Sequence, residues 1–583
     1  MKSINIFKKS TEEKTENVFD INIERGLYVG AGTELKKEKG YTPEVEPLYI
    51  EWGDLAGHFA VFGTTRVGKT RLMVSLIRQC IMRGMDILVI EPKGSKGQET
   101  IAWILEFCAE AGRLRDYKYI SPMFKNLSIP FNPLWSLSNE EIASLVSTLI
   151  PAKDDFYITM GYTITFAILK GLEFLEKAEG PEYVGKLIET EYKRVSSGNA
   201  NIINEIDHIS DPDLATRVIM PQANQSLEDL DPPYRSLITF SDIATYSTQE
   251  GLKAILSHVE KITTEQFNTN IASEIEDLKR SKIESIRALR EQAEKDSGYF
   301  SKVGSSFNIT IQQLSTGDLG EILCSTKVNP IMDGYKNENH GQIVVVQPYP
   351  LKYKKASDAF VRVFFGMFTA AFGDLGAAGR LFPREIALFI DEGGSVLYSG
   401  VESLFNKAGG LGLRIMIFTQ SFADYDAELG PELTKIVNDN TNTKIYMKMN
   451  DSSSRQEISD TFGTILDSEG KYMGSKLDMR ISTGDAEKVL LTPAHIAKLQ
   501  KQEFLLQCKE GFYLCCAPTQ FDPGIWVEMP TTEAEDLYQR YGSNFATSVL
   551  TDNEVIADEL HEQFPELTKE ELEKYRIELE ESK

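Results

Sequence analysis

The residues best suited to chemistry begin at Gly63. Gly63, Thr64, Thr65, Arg66, Val67, Gly68, Lys69 and Thr70 fit G-x-x-x-x-G-K-[ST], a pattern whose glycines let backbone N–H groups curl round a phosphate. In such a loop Lys69 reaches the β- and γ-phosphates and the Thr70 hydroxyl holds Mg²⁺. A loop of this kind needs an acid for the metal and another to activate the attacking water, both at the C-terminal end of a buried strand. EIALFIDEGG (385–394) supplies five apolar residues followed by Asp391, read as the metal acid, and Glu392, read as the base. An apolar run ending in two acids also closes ordinary strands, and the upstream loop is what gives this one weight. RIMIFTQS (414–421) ends in Gln420, placed to touch the γ-phosphate or its water, or simply to cap a loop. MDILVIEPKG (85–94) ends in Glu91 and Lys93, either supporting the site or forming a turn. The expected cofactors are ATP and Mg²⁺.

These groups need a scaffold. HFAVF (58–62) reads as a short buried strand and TRLMVSLIRQCIMRG (70–84) as an amphipathic helix whose N-terminus faces the anion. GQIVVVQPYPL (341–351) is a further buried strand, stopped by prolines. Strands alternating with helices predict an α/β fold, a parallel sheet flanked by helices. Between loop and Asp391 lie far more residues than one crossover needs. EEIASLVSTLI, ITFAILKGLEFLEKA, YVGKLIETEYKRV and FNTNIASEIEDLKRSKIESIRALREQAEK show helical apolar spacing, so an all-α domain is inserted there. The expected order is 1–44, a polar segment without a transmembrane helix; 45–137, first part of the nucleotide-binding domain; 138–300, the all-α insertion; 301–525, its second part; and 526–583, an acidic helical tail. Stretches 300–316 and 467–487, rich in Gly, Ser, Thr and Asp, read as loops, and 503–518 as a hairpin around Lys509 to Gly511.

The 583 residues, 42% of them hydrophobic, suffice for a large core in two or three domains. A net charge of −25 argues against nucleic-acid binding across the whole surface and confines any such contact to a local basic pore or groove. Lys352, Lys354 and Lys355 in LKYKKAS could line one, or face water as most charge runs do. Six cysteines and six histidines lack metal-ligand spacing, which disfavours a zinc enzyme and suggests a reduced, cytosolic compartment. The start shows no signal peptide, and FVRVFFGMFTAAFGDLGAAG (360–379) comes nearest to a membrane span but carries Arg362 and Asp374.

GHFAVFGTTRVGKTRL, VIEPKG, IPFNPLW (129–135), FIDEGG and FNKAGGLGLRIMIFTQSFAD, in that order, resemble the type IV secretion coupling proteins, with the TraD-type conjugative coupling factors nearest. The resemblance spans roughly residues 45–520. It implies a RecA-like, FtsK-like P-loop motor with an all-α domain, assembled as a homohexamer. Such a motor hydrolyses ATP and passes DNA, single-stranded and through a pore, with its attached relaxase to a secretion channel. It assigns Lys69 and Thr70 as phosphate and metal ligands, Asp391 as metal acid, Glu392 as base and Gln420 as sensor. Related DNA motors carry an arginine finger about eleven residues before the sensor; this chain has Gly409 there, so Arg414 or Arg455 would have to serve in trans, with Arg414 favoured. Many relatives begin with transmembrane helices and this sequence shows none, which implies cytoplasmic localisation with recruitment to the membrane by a partner. Relaxosome components or secreted proteins are the expected cargo. Two other readings remain: a chromosome-segregation or DNA-processing pump with the same site, and a recruitment adaptor in which ATP only sets assembly.

Overall fold

The computed structural model describes residues 3–4, 21–35, 44–92, 98–135, 137–150, 155–179, 217–218, 238–267, 269–326, 328–398, 400–473 and 480–527. Met1–Val527 forms one unit; Glu528–Lys583, a second, lies outside the described residues, as do the segment YVGKLIETEYKRV, Lys93 and nearly all of the expected acidic tail.

Short, largely apolar strands lie at the centre of the fold. β1 (Leu27–Glu34), β2 (Glu46–Ile50), β3 (Phe59–Phe62), β4 (Asp86–Ile90), β5 (Tyr117–Ile120), β6 (Ile343–Val346), β7 (Ile386–Ile390), β8 (Leu413–Thr419), β9 (Thr443–Met447), β10 (Glu503–Cys508) and β11 (Gly511–Cys516) build one 11-stranded sheet, in the order β2-β1-β11-β10-β9-β3-β8-β7-β4-β6-β5. From β9 to β5 every pairing is parallel; from β9 out to β2 every pairing is antiparallel. The parallel strands β3, β4, β6, β7 and β8 are buried at every position, because helices cover both faces and leave no side for polar residues. This is the α/β fold that the loop–strand pattern predicts.

α1 (Lys69–Arg83) follows the glycine loop and ends where Gly84, in left-handed conformation, donates its N–H to the Cys80 and Ile81 carbonyls. α2 (Glu99–Glu110) packs beside it. The helical insertion contains α3 (Asn139–Leu149), opened by a Ser138–Glu141 capping box, and α4 (Asp155–Glu179). α5 (Phe240–Tyr246), α6 (Gln249–Lys261), α7 (Ala272–Ala293), α8 (Ser297–Ser315), α9 (Gly317–Leu323) and α10 (Pro330–Lys336) follow. α11 (Lys355–Ala377) leads back toward β7. One continuous core joins helices and sheet, from Leu169 and Leu289 in the insertion to Leu88 and Ile417 in the strands. α4 and α11 are long and apolar enough to span a membrane by length and composition, yet half or more of each apolar stretch is buried inside this fold.

Three local expectations change. Residues 300–316 form most of helix α8: its Gly, Ser and Thr residues mask Phe300, Phe307, Ile311 and Leu314, which recur at helical spacing and are all buried. In 467–487, the strands Thr464–Met473 and Arg480–Val489 pair antiparallel from Thr464↔Val489 to Met473↔Arg480; a two-stranded ladder satisfies its backbone whatever the side chains. Within 1–44, Leu27–Glu34 is a sheet strand whose Leu27, Tyr28 and Val29 are buried, a short apolar run diluted by its polar flanks.

Candidate nucleotide site

The glycine loop leaves β3 at the C-terminal edge of the parallel sheet. Gly63 N–H donates to the Thr419 carbonyl (3.1 Å) and Thr64 N–H to the Lys448 carbonyl (2.9 Å), which pins the loop's first half between β8 and β9. A Cβ at Gly63 would lie 2.8 Å from the Met447 Cβ, so only glycine fits this approach. The turn into the helix needs left-handed backbone at Arg66 (φ 64°) and Gly68 (φ 113°). Val67 is buried, Lys69 and Thr70 are half-buried, and Thr65 and Arg66 are exposed. Lys69 folds its ammonium back over the loop, donating to the Gly63 carbonyl and to the Thr64 carbonyl (3.1 Å). The N–H groups of the first turn of α1 and the positive end of its dipole face the same space. The cradle fits a chain of phosphates.

β8 lies between β3 and β7, with Phe62 opposite Thr419 and Ile390 opposite Ile417. The ends of three strands therefore bring Gly63, Asp391 and Gln420 to one edge. Asp391 is almost buried (9% exposed); its N–H donates to the Ile90 carbonyl (2.9 Å) and its Oδ1 accepts the Glu392 N–H (3.0 Å). Glu392 is held in left-handed backbone (φ 51°, ψ 52°), unfavourable for a residue with a Cβ and concentrated in proteins at functional turns. Gln420 is exposed, and its N–H donates to Asp424 Oδ2 (3.1 Å), which also caps Ser421 N–H (2.9 Å). Two carboxylates, a lysine and a helix N-terminus at one edge can bind a divalent cation with a polyphosphate and polarise water beside it.

Arg414 is not brought to this edge. It lies at the opposite end of β8, paired with Ala387, and is buried against Glu385 (2.5 Å) and the Gly409 carbonyl. A guanidinium so held on the far side of the sheet is unsuited to reach a neighbouring subunit's nucleotide. Gly409 admits no side chain, since a Cβ would fall 2.1 Å from the Ala56 carbonyl oxygen, which explains why no arginine stands there. Arg455 lies in helix Ser452–Phe462, its Nε donating to the Asp451 carbonyl (3.2 Å). At the root of the loop strand, His58 Nδ1 accepts the Ile415 N–H (3.2 Å) and Nε2 donates to the Phe405 carbonyl (2.9 Å). Burial pushes its pKa down to about 4; the Phe405 carbonyl opposes this and Arg414 adds to it.

The structure gives Glu91, read from the sequence as either a support of the site or part of a turn, its surroundings, and adds residues that sequence reasoning missed. Glu91, at the end of β4, is buried and accepts from Thr100 Oγ1 (3.0 Å) and Gln347 Nε2 (2.8 Å), while Gln347 also bonds Gln98 (3.1 Å) and Tyr119 (2.7 Å). Glu91 thus stands beside Asp391 as part of a buried polar network. Glu91 is marked in the sequence by its place at the end of one apolar run, and Gln347 by following another directly. Asn450 donates to Thr64 Oγ1 (3.2 Å), and Gln502, itself left-handed (φ 71°), donates its N–H to the Val67 carbonyl (2.9 Å). Lys352, Lys354 and Lys355 are exposed around Leu351, past β6.

Fold and site together define a P-loop ATPase. Residues 38–156 match the family described as helicase HerA, central domain, and residues 385–501 the family described as the TraM recognition site of TraD and TraG. In fold, the chain is similar to the bacterial conjugative coupling protein TrwBdeltaN70 in its unbound monoclinic form, at 14% identity and TM-score 0.52 over 83% of this chain and 88% of that one. It is also similar to the plasmid coupling protein TrwB in complex with ADP and Mg²⁺, at 12% identity and TM-score 0.50 over 86% and 98%. No curated protein matches in sequence. The chain therefore has a P-loop ATPase fold similar to that of conjugative coupling proteins, with a segment that matches the TraM recognition site of TraD and TraG.

Proposed function

We propose that the chain is an ATP-driven motor that delivers conjugative DNA with its attached relaxase, or protein substrates, to a type IV secretion channel, working as a homohexamer with single-stranded DNA in a central pore. The observation that carries this reading is the convergence of Gly63–Thr70, Asp391, Glu392 and Gln420 at one sheet edge in a fold shared with coupling proteins. Lys69 and the α1 N-terminus hold the phosphates, Thr70 and Asp391 the Mg²⁺. Glu392 takes the proton of the attacking water, and Gln420 orients that water and reports hydrolysis along β8. Asp391, fixed by the Ile90 carbonyl and by its bond to Glu392 N–H, sets where the base stands. The sheet-bearing segments act as the motor and the helices between 139 and 336 as its inserted module. The motor works in the cytoplasm, recruited to the membrane by a partner.

The test is the ATPase rate of the purified chain over a concentration series, with and without single- and double-stranded DNA at low salt. A rate per subunit that climbs with concentration and again with single-stranded DNA is expected. Flat turnover indifferent to DNA would overturn the motor reading in favour of a recruitment adaptor.

A further inference from the structure

Phosphates account for only half of a nucleoside triphosphate, and the loop also determines where the other half must go. Asp391 and Gln420 stand on the β7–β8 side of the loop, so the terminal phosphate belongs there. A phosphate chain running from them past Lys69 leaves over Gly68 and the first turn of α1, on the side where β9, β10 and β11 end or begin.

That exit is walled. The Gln502 side chain lies against Gly68, where a Cβ would meet its Cγ at 3.2 Å, and Gln502 accepts the Ala517 N–H (2.9 Å) through its carbonyl. From Ala517 the chain crosses to Arg71, the residue after Thr70. Arg71 donates to the Gln520 carbonyl and pairs with Asp522 (2.5 Å), while Trp103 Nε1 donates to the Phe521 carbonyl (2.8 Å). This strap is thus fastened to the phosphate-loop helix through Arg71, at Gln520 and Asp522, and to α2 through Trp103, at Phe521. Gln520 is buried, yet Phe521 between the two anchors is 52% exposed. A large aromatic ring left in water on a strap so held makes an apolar face beside an anion-binding cradle.

Resting on the phosphate-site reading above, the geometry points to strap 517–522 as the nucleoside subsite, with Phe521 as the ring against which the base stacks and Arg71 as the residue that positions the strap. The occupant is the base and ribose of the same triphosphate. Stacking on a ring face tolerates any purine, so the subsite distinguishes a nucleotide from a bare polyphosphate more than ATP from GTP.

Binding of ATP, GTP and inorganic tripolyphosphate to the full chain tests this, in wild type, Phe521→Ala, Phe521→Trp and Lys69→Ala. Phe521→Ala should weaken ATP and GTP alike by about ten-fold, leave tripolyphosphate unchanged, and be rescued by Phe521→Trp. ATP affinity that survives Phe521→Ala, or a loss shared equally by tripolyphosphate, would overturn the subsite alone. Lys69→Ala with undiminished affinity for both ligands would instead refute the phosphate site itself, and the subsite with it.

Discussion

Acidifying the protein through the range where histidine normally titrates should loosen the root of the phosphate-loop strand. His58 is neutral in the fold because Nδ1 must accept the Ile415 N–H and because burial disfavours its charge, which lowers its pKa from 6.5 to about 4. In the unfolded chain the ring protonates near 6.5, so between these values the unfolded state binds more protons and stability falls as the pH is lowered. The contribution is complete above about 6.5, is lost progressively down to about 4 and then levels off. A depression of this size corresponds to about 3 kcal/mol at 1.36 kcal/mol per pH unit. Denaturant midpoints of wild type and His58→Gln, measured at pH 7.5, 5.5 and 4.5, isolate the effect because the variant cannot titrate there. The stability gap between the two should shrink by about 2.5 kcal/mol from pH 7.5 to 4.5. A gap that stays constant within about 0.5 kcal/mol would refute the neutral, desolvated imidazole.

Glu392→Gln should lower the maximal ATPase rate by at least about a hundred-fold while ATP still binds, and Lys69→Ala should lose binding as well; wild-type turnover in both would dismiss the site, read by steady-state rates and calorimetry. Gly409→Ala should destabilise the chain by about 1–3 kcal/mol, because its Cβ would fall 2.1 Å from the backbone oxygen of Ala56, and a thermal melt indistinguishable from wild type would show that the contact relaxes freely. Gln347→Leu removes a donor from the buried Glu91 carboxylate and should cost about 1–3 kcal/mol in a urea titration, whereas an unchanged midpoint would mean that the network does not hold that acid.

The site's skeleton was legible in the sequence because phosphate binding imposes local spacing: Gly63 to Thr70 are contiguous, and Asp391 and Glu392 end an apolar strand. What the neighbouring strands contribute was not. Asn450, Gln502 and Gln347 reach the site only through strand order, which no local pattern encodes. Arg414 illustrates the converse, since a basic residue six positions before Gln420 looks near in sequence, yet the extended strand β8 carries it to the opposite edge of the sheet. The helix over 297–315 was hidden by small polar residues between widely spaced apolar ones, and β1 by the polar sequence around it. The outline of the fold could be read from strands buried on both faces, whose unbroken apolar runs stand out.

The loop at 63–70 has its backbone partners at Thr419, Lys448 and Gln502, and its helix is tied at Gln520 and Asp522. All of these are made hundreds of residues later. At about 5–20 residues per second, a ribosome needs roughly 20 to 90 s to travel from the loop to Gln502. Until that interval ends the nascent chain carries the phosphate-binding sequence without the full set of strands that shape it. ATP-binding competence is therefore a late event in the birth of this protein, set by completion of the antiparallel edge and not by emergence of the motif. A truncated product ending before β10 would carry the whole glycine loop and both acids, yet lack the Gln502 contact and the strap at Arg71 that close the loop's far side.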